Sequence, residues 1–303
     1  MINYMTHKEI DKEAWDGCIK RSVTPLPYGL SWWLDVVNPS WEALVQDNYA
    51  SVMPLTQNSR FGIKYLRQPW FTQQLGIFSG HVPEKDEISR FIDSIPASIQ
   101  YAEIQLNHAN NLISTGYTLN FRVDHILDLS PGYINLESNY HRNCRRNIQK
   151  ALHAGLYVRQ GPGPSVFAGF TERNLDRTLS RHKGLFAILP AIVQASLDRC
   201  TGSVYGVYDR SEELNAAGWF VDYSGRCLFM VCASTPTGKK NQAMSLLVDH
   251  VIREKACTET VFDFTGSEMP GVSYFNSGFG ATRQMYPLLK INRLPWFLRM
   301  FKR

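Results

Sequence analysis

A strand, a helix and a second strand follow one another between residues 226 and 265, and this order constrains the fold more than any other feature. Residues 226–234 are rich in apolar and aromatic side chains and read as a strand. In residues 241–255 the apolar positions Ala243, Met244, Leu247, Val248, Val251 and Ile252 fall on one helical face. Residues 260–265 are again β-branched and aromatic, and Gly266-Ser267 stops them. A helix that joins two strands of one sheet leaves those strands parallel. Parallel strands end on the same edge, so the loop 235–242 and the turn 265–271 are expected side by side. Open α/β sheets bind ligands off that edge.

The segment after the second strand adds chemistry. Glu268-Met-Pro-Gly271 is a turn cluster, a short helix then carries Tyr274 and Phe275, and Gly278 and Gly280 bracket Phe279 where that helix must end. Residues 281–290 are extended again. A strand that delivers Asp263 and Ser267 to its end, with Tyr274 beside them, suits a chemical site. A buried strand over an aromatic plug accounts for the same residues.

Upstream, strands at 203–208, 216–223 and 226–234 read as an antiparallel meander. Before them come two helical stretches, 165–181 and 190–200, the second starting with Pro190 where a first turn tolerates it. In the first half, residues 9–21 pattern as an amphipathic helix with Ile10, Trp15, Cys18 and Ile19 inward. Residues 41–78 read as a small antiparallel meander, 84–95 as a helix, 101–106 as a strand, and extended pieces run to 129. The expected architecture is α/β with two lobes, each a mixed, mostly antiparallel sheet flanked by helices. The expected spans are 1–130 for the first lobe, 131–160 for a connecting basic helix and linker, and 161–303 for the lobe with the cleft.

The connecting helix, 130–155, repeats Leu136, Tyr140, Cys144, Ile148 and Leu152 every four residues, with Ala151 filling in and Gly155 ending it. Its other faces carry His141, Arg142, Arg145, Arg146, Gln149, Lys150 and His153. A solvated face explains these charges; a wall that binds an anionic donor or substrate explains them too. A second polar cluster, Tyr65, Arg67, Gln68, Trp70, Gln73 and Gln74, fits either recognition of a polar substrate or a structural interface. His81 beside it reads as a satisfied loop histidine.

Composition excludes several classes. Thirty-two Lys+Arg against 27 Asp+Glu leave only +5, too mild to argue for DNA or other nucleic acid alone. No run approaches the roughly 20 apolar residues of a membrane-spanning helix. Asp11, Glu13 and Asp16 near the start are unlike a signal peptide. Six cysteines without CxxC spacing and eight scattered histidines predict free thiols in a reducing cytoplasm and no metal site. The tail from Leu294, mixing Trp296, Phe297 and basic residues, is expected to pack on the body rather than on a membrane.

Tyr274-Phe-Asn-Ser-Gly-Phe279, with the meander and crossover before it, resembles the GNAT acyltransferase superfamily. There a Tyr-x-x-x-Gly-Phe segment follows the fifth strand, and the tyrosine often protonates the departing coenzyme A thiolate; Tyr274 matches that position. Arg145-Arg-Asn-Ile-Gln-Lys-Ala151 with Gly155 is similar to the lobe junction of Fem-type peptidoglycan aminoacyltransferases, in which two GNAT-like lobes join near a basic helix. The departure lies at the pyrophosphate loop. GNAT enzymes carry Arg/Gln-x-x-Gly-x-Gly/Ala, whereas the best register here is Lys240-Asn-Gln-Ala243-Met-Ser245, which lacks the small residues that let backbone N–H groups approach phosphate.

The resemblance implies an N-acyltransferase that moves an acyl group, acetyl first, from an acyl-coenzyme A thioester to a primary amine of a small or peptide-like substrate. Asp263 would orient or deprotonate the amine and Tyr274 would act as acid. Gly238, Lys239, Lys240, Asn241, Gln242 and Ala243 would hold the donor. Tyr65, Arg67, Gln68, Trp70, Gln73, Arg142, Arg145, Arg146 and Ser267 would meet substrate. Two alternatives stand beside it: Fem-type aminoacyl transfer from charged tRNA to a cell-wall precursor, and a non-catalytic binding protein on the same scaffold.

Overall fold

The computed structural model describes residues 1–111, 117–175, 183–258, 260–266 and 268–299. They fold as a mixed α/β protein with two compact units, Met1–Val123 joined by Met285–Arg303, and Asp124–Gln284. The division departs from the expected spans at both ends. Residues 124–160 belong with the second unit, and the chain from 285 onward returns to the first.

In the first unit, β1 (Ile2–Met5) precedes α1 (Lys12–Arg21) and α2 (Ser31–Val37). Asp11 caps α1 by accepting from the Glu13 and Ala14 N–H groups, and the helix buries Trp15, Cys18 and Ile19 as its pattern requires. Five strands follow: β2 (Glu42–Gln46), β3 (Ser51–Leu55), β4 (Gln57–Arg60), β5 (Ile63–Arg67) and β6 (Phe78–Ser79). The meander expected over 41–78 is divided between two sheets. β1, β2, β3 and β6 pair antiparallel in one. After Thr56, β4 pairs with β5 in the other, where β5 lies parallel to β7 (Ile99–Gln105) beyond α3 (Lys85–Asp93). Burial explains the switch: every residue of β3 is buried, while three of the four in β4 are exposed.

The second unit takes the last residues of β8 (Thr118–Asp128), then α4 (Tyr133–Ser138), α5 (Arg142–His153), β9 (Tyr157–Gln160), α6 (Pro164–Asn174), α7 (Lys183–Asp198), β10 (Gly202–Tyr208), β11 (Leu214–Tyr223) and β12 (Arg226–Ser234). The crossover completes it: α8 (Pro236–Lys240), α9 (Ala243–Lys255), β13 (Val261–Asp263) and α10 (Pro270–Ser277). β14 (Thr282–Asn292) and α11 (Trp296–Arg299) follow; the β14 residues Leu288 to Asn292 pair antiparallel with β7, which draws this end of the chain back to the first unit. The strands of the second unit pair antiparallel in the order β8, β13, β12, β11, β10, β9, save that β12 and β13 are parallel, as the crossover demands.

Three expectations need correction. The single helix over 130–155 is two helices, broken at 139–141, where the His141 N–H donates to the Gly278 carbonyl. Leu136, Tyr140, Cys144 and Ile148 stay buried across the break, whereas Leu152 is 46% exposed and Ala151 takes the inward place, because a four-residue repeat drifts off a helical face of 3.6-residue period. Pro190 does not open a helix but lies inside α7, because Leu185, Leu189, Ile192 and Val193 on both sides of it are all buried. The loop after Ser234 is not open either: residues 236–240 form the short helix α8. Part of the helix expected over 165–181 lies outside the described residues.

Candidate functional site

β12 and β13 run together for only three steps, Arg226 opposite Val261, Cys227 opposite Phe262 and Leu228 opposite Asp263. Then they part. The Phe264 N–H turns to the His125 carbonyl on β8, while β12 continues to Ser234 beside β11. The β11–β12 register steps over Met230, a bulge at the height where the parallel strands separate. The Thr265 hydroxyl donates to the Phe229 carbonyl, bridging the last point before the gap.

The turn that ends β13 is strained and internally anchored. Thr265 sits at φ 44° and Gly266 at φ 97°; a β-branched residue in the left-handed region is a genuine outlier, and such strain persists only where neighbours over-determine it. The Thr265 N–H donates to Asp263 Oδ1 at 2.8 Å, and the Gly266 N–H to Asp124 Oδ1 at 3.3 Å. Asp263 Oδ2 accepts from Arg226 Nη1 at 2.7 Å. Asp124 and Asp263 are both 0% exposed. Burial first, and then the neighbouring Asp263 charge, push the Asp124 carboxyl well above the usual carboxylate range. His125, also buried, places Nε2 3.3 Å from Ser273 Oγ on α10. Burial, with the Arg283 charge, holds its pKa below the usual histidine value, which favours the neutral ring.

The expected catalytic pair is thus placed with one member inside and one outside. Asp263 has both oxygens engaged within the protein. Tyr274 is 60% exposed on α10, presented to open space. The aromatic plug belongs to a different residue: Phe279, 0% exposed, meets the rings of Tyr140, Phe264 and Phe275. Asp124 and His125 were not singled out in the sequence. Asp124 stands 139 residues before Asp263, with His125 next to it, on a strand whose pairing partner no local pattern reveals.

The turn after β12 is built differently. Thr235 caps α8, its Oγ1 accepting from the Gly238 N–H at 2.9 Å and donating to the Asn215 carbonyl at 3.3 Å. A Cβ on Gly238 would lie 2.1 Å from that same carbonyl, so close packing on β11 requires glycine here. Lys239 and Lys240 are exposed. The Asn241 N–H donates to Thr237 O, and Gln242, at φ 61°, turns the chain into α9, whose first residue Ala243 is fully buried. Cys232 on this stretch of β12 is no ready nucleophile, since burial pushes its thiol up to about 12.

The other expected contacts are dispersed. Arg142, Arg145 and Arg146 are all exposed on α5. Arg145 Nη1 donates to the Glu137 and Ser138 carbonyls and so caps α4, and Arg146 Nη2 donates to Asn143 Oδ1. Tyr65, Arg67, Gln68, Trp70 and Gln73 lie in the first unit. The Arg67 guanidinium is 5.9 Å from the Trp70 ring centre, and Gln68 Oε1 accepts from the Gln105 N–H. His81 bonds Ser79 Oγ and Glu87 Oε2, the satisfied loop histidine expected. Ser267 lies outside the described residues. Among the described residues no group of side chains could hold a metal ion, and no helix is long and apolar enough to cross a membrane.

No protein-family model matches the chain, and no curated protein matches it in sequence. Solved structures do. FemX is 12% identical with a TM-score of 0.67, over 99% of this chain and 100% of that one. The C-terminal domain of a putative lysylphosphatidylglycerol synthetase from Agrobacterium fabrum is 10% identical with a TM-score of 0.58, over 96% and 94%. L-PGS from Bacillus licheniformis is 11% identical with a TM-score of 0.56, over the same shares. The chain shares the fold of these proteins, FemX among them.

Proposed function

We propose that this protein is an N-acyltransferase that moves an acyl group from an activated carboxyl donor, first an acyl-coenzyme A thioester, to a primary amine. The observation that carries the reading is the parting of β12 from β13 beside the amino end of α9. A parted parallel pair leaves backbone at a sheet edge where an extended acyl donor lies along β12, and α9 directs its positive end toward the donor's phosphates. Lys239, Lys240, Asn241, Gln242 and Ala243 then surround those phosphates. Gly238 supports the turn by packing rather than by offering its N–H.

The amine nitrogen attacks the thioester carbon, forming the C–N bond. A backbone N–H of β12 stabilises the oxyanion, and collapse breaks the C–S bond. Tyr274, exposed on α10, gives its proton to the leaving thiolate and regains one from solvent, while the amine proton leaves to water. Asp263 acts through the turn it holds, consistent with both of its oxygens being engaged.

A second reading takes an aminoacyl ester of tRNA as donor. It is favoured by the same turn, where the Gly238 N–H is already satisfied by Thr235 and the small residues of a pyrophosphate loop are replaced. Thermal shift with acyl-coenzyme A, followed by label transfer from acyl-coenzyme A and from charged tRNA to a panel of amines, tests both. A ligand at 100 times its Kd adds about 2.7 kcal/mol to stability. A Tm unmoved by any acyl-coenzyme A, with transfer from tRNA, replaces the first reading by the second. No transfer from either leaves a binding protein.

A further inference from the structure

We propose that Ser273 carries a catalytic hydroxyl, oriented by His125, that donates a hydrogen bond to the acyl oxygen of the bound donor, as a second donor beside the β12 backbone. The contact with the acyl oxygen rests on the acyl-transfer reading; the hydrogen-bond arrangement behind it does not.

One proton and two ring nitrogens decide that arrangement. His125 is buried, and its Nε2 lies 3.3 Å from Ser273 Oγ. Its Nδ1 is sealed from solvent and has no hydrogen-bond partner among the described residues. A neutral imidazole has one N–H and one acceptor nitrogen. A proton on Nδ1 would bury an N–H with no acceptor, the rarest kind of orphan in folded proteins. A proton on Nε2 donates to Ser273 Oγ and leaves only a lone pair unpartnered. Ser273 then accepts from His125, so its own hydroxyl proton points elsewhere. Ser277 turns its hydroxyl back on the Ser273 carbonyl at 2.8 Å, whereas Ser273 Oγ meets only His125 among the described residues. Ser273 is half-buried, which leaves that proton within reach of a ligand.

The same geometry argues against a serine nucleophile. His125 acting as base would become an imidazolium with a buried, unpartnered Nδ1–H, beside the like charge of Arg283 on β14. A serine–histidine–acid triad places a carboxylate at that nitrogen. A fixed donor needs none. The Phe264 N–H bonds the His125 carbonyl, and the next residue, Thr265, bonds the Phe229 carbonyl where β12 and β13 part. His125 therefore stands level with the gap, and Ser273 precedes Tyr274 on α10. Consecutive residues would then serve the acyl oxygen and the leaving sulfur.

Nitrogen-15 NMR of the intact protein with labelled histidine reads the tautomer. His125 should show a protonated Nε2 and a bare Nδ1; a proton on Nδ1 at neutral pH overturns the arrangement, whatever the activity. Coenzyme A and acetyl-coenzyme A are then titrated, because only the second carries an acyl oxygen. The Nε2 signal should move with acetyl-coenzyme A alone, and equal movement with both, or none despite binding, overturns the contact. If neither raises Tm, the acyl-coenzyme A reading falls and takes this contact with it, while the tautomer result stands. Ser273→Ala should lower kcat about 10²–10³-fold with donor KM little changed. His125→Gln, whose amide can donate from the place of Nε2, should retain far more kcat than His125→Leu. An unchanged kcat in Ser273→Ala, or equal kcat in the two folded His125 variants, overturns the assigned roles.

Discussion

Two turns lie at one edge of the second unit's sheet, and they satisfy their backbones in opposite ways. The turn after β12 uses neutral partners, the Thr235 hydroxyl and the Asn215 carbonyl, and leaves Lys239 and Lys240 exposed. The turn after β13 closes on two buried carboxyls. An anion arriving from solvent is attracted by the first and meets, at the second, amides already occupied by negative groups. In the proposed reaction this difference would give the edge a direction, with donor phosphate at α8 and α9 and acyl chemistry toward α10.

The largest expected effect tests where the chemistry lies. Tyr274→Phe removes a hydroxyl from a side chain 60% exposed, so folding should be unchanged, while a general acid of this kind contributes ~10²–10⁴-fold to rate. A kcat equal to the parent's would move the acid elsewhere. Next comes the closed turn itself. Asp263→Ala strands the mostly buried Arg226 and removes the acceptor for Thr265, and breaking a buried pair costs about 3–5 kcal/mol in denaturant unfolding. A loss below about 1 kcal/mol would show that the strained turn needs no acid.

The neutral turn should be less sensitive. Gly238→Ala forces a methyl against the Asn215 carbonyl and should destabilise by about 1–3 kcal/mol, while donor KM rises if the turn carries phosphate. The smallest effect is that of the double change Lys239→Ser with Lys240→Ser. It should leave Tm unchanged and weaken anionic-donor binding by about 0.3–1 kcal/mol per lysine, more at low salt. Equal weakening of a neutral donor analogue would break the assigned direction.

The crossover and the meander before it were legible because their signals are local: strand-like apolar runs, one-face helical spacing, and turn residues such as Ser224-Gly225 and Gly266. The short helix that carries Tyr274 was legible for the same reason, since it ends at Gly278. The acid pair was not. Asp124 and Asp263 serve one turn only because β8 inserts beside β13, and strand order is decided by pairings across more than a hundred residues. Pro190 misled because a proline's local preference was outweighed by the apolar residues buried on both sides of it. Leu152 misled because a four-residue repeat drifts off a helical face of 3.6-residue period, and by the last turn of α5 Ala151 holds the inward place.

The return of the chain to its first unit has a consequence for synthesis. β7 is complete by Gln105, yet the strand that covers its edge, Leu288 to Asn292, emerges from the ribosome more than 180 residues later. At 5–20 residues per second that edge stays open for roughly ten to forty seconds. An uncovered strand edge is a template for other chains. The whole of the second unit can fold during that wait, so the nascent protein passes through a stage in which its later half is finished and its earlier half is still missing a strand.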